Sequence, residues 1–207
     1  TALHLPIKPT PTVPHDPPDQ WISPLAFGGK PNDGLDDTDA IQKAVDSGKT
    51  TVYLPNGTWH IEGDLKLRGN VRRFIGCEGT IKGQGSIRVA DGAQPVVVFE
   101  RIEVQYAPVE IVHESSRTLV LSSVRLERGH SYEGRGGGDL FIEDVCGNPF
   151  VFKDQNVWAR QINPERNEVK IPSRNSRVWM LGLKTEGDGT TVEQWNGSTE
   201  ILGAFIY

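Results

Sequence analysis

Glu100 and Glu143 stand at matching places in two similar short segments, FERI and IEDV. Two carboxylates about 5–10 Å apart on one face are what glycoside hydrolysis requires, one as acid and the other as base or nucleophile. They are the catalytic alternative in this sequence. A second set is flat and aromatic: Phe141, Trp158 and Trp179, with Arg160, Gln161, Asn163, Lys184 and Glu186 close by. Sugar rings pack on rigid aromatic faces through their C–H groups, and such polar neighbours bond hydroxyls. A third set is the acidic stretch NDGLDDTD, 32–39. Asp33, Asp36 and Asp37 have the composition of a calcium loop but lack its D-x-[DN]-x-[DN]-G-x5-E spacing. Helix capping and turn formation account for them, with calcium as the weaker alternative. Cys77 and Cys146 lack metal-site spacing, and nothing calls for another cofactor.

These groups need a frame. Two hundred and seven residues suffice for one domain or one domain plus a tail. Hydrophobic residues at 36% and charged residues at 24% fit a folded chain, while 23 glycines and 14 prolines indicate many turns. A net charge of −5 argues against nucleic acid or an anionic membrane as the main partner. No apolar run reaches the ~18 residues of a membrane span. The chain opens at Thr1 without a signal pattern, so it reads as a processed or excised piece. Residues 1–20 hold a proline-rich stretch, TALHLPIKPTPTVPHDPP, expected to be an extended linker from a preceding module or an extended N-terminal segment whose Leu3, Leu5 and Ile7 lie down on the domain.

Residues 21–207 make the domain. Asp36, Asp37 and Thr38 supply capping oxygens for one helix, whose apolar stripe is Ala40, Ile41, Ala44 and Val45 and which Gly48 ends. Short strands follow. An apolar-x-apolar pair, a two-residue bend and a further apolar residue recur from Val97, Leu119, Leu140, Val157, Val178 and Glu200, at steps of 22, 21, 17, 21 and 22. A weaker copy starts at Phe74. That period suits one coil of a parallel β-helix. Alternation then points Val97, Phe99, Ile102 and their equivalents inward. It points Val98, Val120, Phe141, Trp158, Trp179 and Ile201 outward as a vertical stack, which is either a seam against a neighbouring helix or covering loop or a platform for a ligand. The helix caps the N-terminal end. Cys77 and Cys146, three coils apart, are beyond disulfide reach.

The stretch 26–69 resembles the opening segment of the pectate-lyase-like right-handed parallel β-helix superfamily. It carries Phe27-Gly28, Asp33-Gly34, Asp36-Asp37-Thr38, Ala40-Ile41-Gln42, Val52, Leu54-Pro55, Gly57 and Trp59 in the superfamily's order. The later text is similar to the second β-helix of tandem glucanase-type proteins and to β-helical carbohydrate-binding modules. The resemblance implies an all-β parallel β-helix of about seven coils with a short N-terminal capping helix. It does not imply an activity, since the superfamily holds lyases, hydrolases and non-catalytic modules. The lyase motif R-x-P-x-x-R is absent, and Gly129-His130-Ser131 stands alone without the other hydrolase motifs.

The expectation is a non-catalytic carbohydrate-binding module of a secreted, multimodular, bacterial-type polysaccharide-degrading enzyme, located outside the cell, at its surface or in the periplasm. Its partners would be a polysaccharide or oligosaccharide (xylan as the first guess) and catalytic modules of the same parent chain. The rival is a lyase or glycosidase using Glu100 and Glu143. Trp195 is expected to decorate a turn or edge, Trp59, Tyr106 and Tyr132 to be structural, and Gly134–Gly138 to be a flexible loop.

Overall fold

Each short apolar segment finds its hydrogen-bond partner one repeat further on. Leu119 pairs with Val97 on one side and Leu140 on the other, Leu140 pairs with Val157, and Val157 with Val178, all in parallel. The computed structural model describes residues 5–105, 109–126, 132–165 and 168–207. Over them the chain winds as an all-β parallel solenoid of about seven turns with one helix, α1 (Thr38–Asp46). Three faces run its length, separated by bends. The strand Leu140–Gly147 itself turns one of them. Its first residues pair with Asn156–Ala159 and its last with Ile162–Pro164.

The alternation places Val97, Phe99, Ile102, Leu119, Leu121, Val124, Leu140, Ile142, Val145, Val157, Ala159, Ile162, Val178, Met180 and Leu183 in one continuous core. The two-residue bend works because its second residue takes a left-handed conformation: Glu78, Arg101, Ser123 and Asp144 have φ of 57°, 55°, 52° and 58°. Side chains other than Gly, Asn and Asp resist that region, so the bends hold it against a local preference. A second corner does the same with Asp154, Asn175 and Asn196, at φ of 53°, 52° and 51°. There the amides stack, Asn175 donating to Asp154 at 2.9 Å and Asn196 to Asn175 at 3.3 Å.

Helix α1 closes the N-terminal end. Ala40, Ile41, Ala44 and Val45 are buried, and the last three join the core with Trp59. The N-cap residue is Asp37, whose side chain makes no capping bond; Asp36, one residue earlier, closes a turn by accepting from the Thr38 amide at 2.9 Å. Asp37 instead ties the helix to its surroundings, accepting from the amides of Lys30 (2.9 Å) and His60 (3.2 Å).

Some local expectations shift. In the last turn Thr199, not Glu200, pairs with Val178, so Glu200 continues the outward stack and Ile201 the inward row. Phe74 pairs with Phe99 rather than Val97, because the ladder slips between Ile75 and Gly79. Alternation fixes a side, but a bend of altered length changes the count. The glycine-rich run is packed: a side chain on Gly136 or Gly138 would meet the backbone of Glu114 or Arg117 at 2.3 Å. Trp59 and Tyr132 are fully buried; Tyr106 and His130 lie outside the described residues.

Inside the solenoid sits a polar network that the apolar pattern does not announce. His113 Nε2 contacts the Arg117 carbonyl at 2.7 Å, and its Nδ1 lies 3.2 Å from the Tyr132 hydroxyl and 3.1 Å from Gln155 Nε2. The Arg117 guanidinium donates to the carbonyls of Gln94, Leu67, Ala90 and Val71.

Candidate functional site

The outward aromatic stack forms as its register requires. Phe141 pairs with Trp158 and Trp158 with Trp179, and the Phe141 and Trp158 rings stack at 4.9 Å with planes 13° apart. Its exposure does not follow: Phe141, Trp158 and Trp179 are 2%, 0% and 4% exposed. The proline-rich N-terminal segment lies over them. Leu5 and Val13 pack into a second apolar cluster with Val98, Val120, Phe141, Trp158 and Trp179. The Trp158 indole donates to the Pro6 carbonyl at 2.9 Å, and Lys8 Nζ sits 4.6 Å above its ring. A row of outward apolar side chains needs a cover, and Leu5 and Val13 supply it. The stack is therefore no open platform, and residues 5–17 form a strap on the domain.

The carboxylates meet the same strap. Glu100, Ser122 and Glu143 occupy one column on successive rungs, so Glu100 and Glu143 stand two rungs, about 9–10 Å, apart. Glu100 accepts from Arg73, which also donates to the Val13 carbonyl. Glu143 accepts from Thr10 and lies 3.5 Å from Arg160 Nε. Arg160 donates to the Lys8 carbonyl and stands 5.7 Å from the Trp179 ring. Both carboxylates of this column grip the strap or a neighbour that does.

The remaining expected ligand residues fall past the bend, on another face. Asn163 donates to Glu165 at 3.0 Å, Lys184 to Glu165 at 2.6 Å and to Glu186, and Glu186 accepts from the Tyr207 hydroxyl at 2.9 Å. The hydrogen bonds that Lys184 donates to Glu165 and Glu186 hold its ammonium above its usual range, whereas those that Glu186 accepts from Lys184 and Tyr207 hold its carboxyl below its own. This closed set is not beside the aromatic stack. Gln161 is exposed at the bend between the two faces.

In the acidic loop each carboxylate already accepts backbone amides: Asp33 from Leu35 at 2.9 Å, Asp36 from Thr38 and Glu62, Asp37 from Lys30 and His60. Among the described residues, no three His, Cys, Asp or Glu side chains converge as a metal site. Cys77 and Cys146 are free thiols, and burial raises the pKa of Cys146.

The third face carries what the first does not, an open recess. Val151, Phe152, Lys153, Pro172, Arg174 and Trp195 line a hollow of ≈ 310 Å³. Lys153 pairs in register with Arg174 and Arg174 with Trp195, so two cations and an indole rise on successive rungs about 4.8 Å apart. Trp195 is 40% exposed, with the Arg174 guanidinium 5.5 Å from its ring. Among the described residues no ion pair engages Lys153 or Arg174. Trp195 is expected at a turn or edge, and it stands next to the second left-handed corner, facing outward. The signal that would have placed it is the repeat KDQN, RNSR, WNGS, starting at Lys153, Arg174 and Trp195.

Fold and site together define a class: a parallel β-solenoid with one strapped aromatic face and one open basic-aromatic face. No family model, curated protein or solved structure matches the chain, so nothing beyond that class is assigned by likeness.

Proposed function

We propose that this solenoid is a non-catalytic carbohydrate-binding module of a secreted polysaccharide-degrading system, and that it binds an acidic glycan along its third face. The observation that carries this reading is the column Lys153–Arg174–Trp195 above an open hollow. A pyranose ring stacks on the outer half of the Trp195 indole, and Lys153 and Arg174 pair with carboxylates of the same or the next sugar. Glu193, which pairs with Pro172 in the adjoining column, offers an acceptor for a hydroxyl. A rigid, repetitive face suits a rigid, repetitive polymer, because little conformational freedom is lost on either side.

The resemblance of residues 26–69 to the pectate-lyase-like superfamily supports a polysaccharide as the ligand, and glucuronate-bearing xylan or polygalacturonate fits the local charge. A non-catalytic role is supported by the engagement of Glu100 with Arg73 and of Glu143 with Thr10 and Arg160.

Affinity electrophoresis in gels containing polygalacturonate, glucuronoxylan or a neutral β-glucan tests the proposal, with a reducing-sugar assay on the same glycans. Retardation by the acidic glycans, lost at least tenfold in Trp195→Ala and weakened by added salt, is the expected result. Equal retardation of Trp195→Ala, or release of sugar that Glu143→Gln abolishes, would overturn it.

A further inference from the structure

We infer that the aromatic stack on the first face is a groove for a proline-rich extended peptide, and that residues 5–17 are its exchangeable occupant. The strap pairs with no strand over residues 6–17; regular ladder pairing begins only where Trp21 and Ile22 meet Thr51 and Val52. What holds it is a set of side chains reaching up from the solenoid. Trp158 donates to the Pro6 carbonyl, Arg160 to that of Lys8 and Arg73 to that of Val13. Indole and guanidinium donors aimed at peptide carbonyls, over aromatic walls, are a general means of reading a polyproline II backbone, which has no internal hydrogen bonds and leaves its carbonyls free.

The strap has the matching form. Pro6 and Pro9, then Pro11, Pro14 and Pro17, recur at three-residue spacing, which is one turn of that helix. Its prolines fix the backbone before docking, so docking costs little entropy, and the same feature permits a free peptide to compete. Between the carbonyl contacts, Leu5 and Val13 fill apolar sites, while Lys8 pairs with Asp139 at 3.0 Å. Trp179, one rung beyond Trp158 in the same column, has a buried indole nitrogen with no hydrogen-bond partner among the described residues. It is a second indole donor in the same column.

The test nicks the strap in the full chain. A protease site between the exposed Pro17 and Pro18 is cut, and a fluorescent synthetic peptide of residues 1–17 is added. The expected result is a cut chain that keeps its β circular dichroism and takes up one labelled peptide per chain. A peptide with alanine at each proline should bind at least tenfold more weakly. Trp158→Phe, which keeps the ring and removes the donor, should bind the labelled peptide at least threefold more weakly. Unfolding after the cut, retention of the cut strap without exchange, its release without uptake of the peptide, or equal binding of the alanine peptide would each overturn the inference.

Discussion

Arg117 is nearly fully buried, and no ion pair engages it among the described residues; its guanidinium meets carbonyls from two successive turns and so ties them to its own. Burial lowers its pKa to about 10, still far above neutrality, so the staple stays charged. Arg117→Met would strand those carbonyls, and we expect a loss of about 3 kcal/mol or more in urea denaturation. His113 beside it is held neutral. Burial, aided by the nearby Arg117 charge and opposed by the Arg117 carbonyl, lowers its pKa to about 4 from 6.5. The unfolded chain binds the proton first, so this contribution is complete above pH 6.5 and fades as pH falls toward 4. About 3 kcal/mol is at stake. Denaturant midpoints measured from pH 7 to pH 4 should drop, and should drop less in His113→Gln. Neither residue stood out in VHESSRT, since a polar side chain among short strands reads as a strand end. Only the winding shows that it points inward.

At the scale of elements, alternation and bend are legible, and the outward apolar stripe signals a need for cover without naming the segment that supplies it. The inward rows read from Val97 to Leu183 are the core, because a one-residue error would have turned every apolar side chain outward. The Lys153, Arg174 and Trp195 column is hard to read because the row beside it runs Phe152, Ser173 and Gln194, and polar residues in that row break the apolar alternation that would mark phase. The corner beside it makes its own prediction. Asn175→Val forces a β-branched residue into φ near 52° and removes an amide from the stack. It should cost about 1–3 kcal/mol, while Asn175→Gly should cost less. For the strap, proline-rich composition signals extension and Leu5 hints at docking, but neither says which column lies beneath it. Its far end is fixed by Asp16, which accepts from Thr51 and Arg72. Burial pushes the Asp16 pKa up, but hydrogen bonds from Arg72 and Thr51 and the Arg72 charge outweigh it and hold the carboxyl at about 2. Strap docking is thus fully supported above pH 3.8 and weakens as pH falls toward 2. Trp fluorescence followed from pH 5 to pH 2 should report that release. In Asp16→Asn at pH 7, proteolysis within residues 5–17 should already be faster.

As a whole molecule, the solenoid turns a 21- or 22-residue period into columns, and each column has a fate set by what covers it. On the first face, Leu5 and Val13 of the strap close over the tryptophans. On the second, acids and bases satisfy one another through Lys184 and Glu186. On the third, Trp195 and two cations stand open to solvent. The sequence told which residues share a column but not which column stays uncovered, because covering depends on a segment more than 130 residues away in the chain. The five tryptophans make this directly measurable, each giving one indole N–H resonance in a nitrogen-15 correlation spectrum. On titration with oligogalacturonate, the Trp195 indole signal should shift while those of Trp158 and Trp179 stay still beneath the strap. Movement of the Trp158 or Trp179 signals with Trp195 unmoved, or no movement at all, would contradict the account.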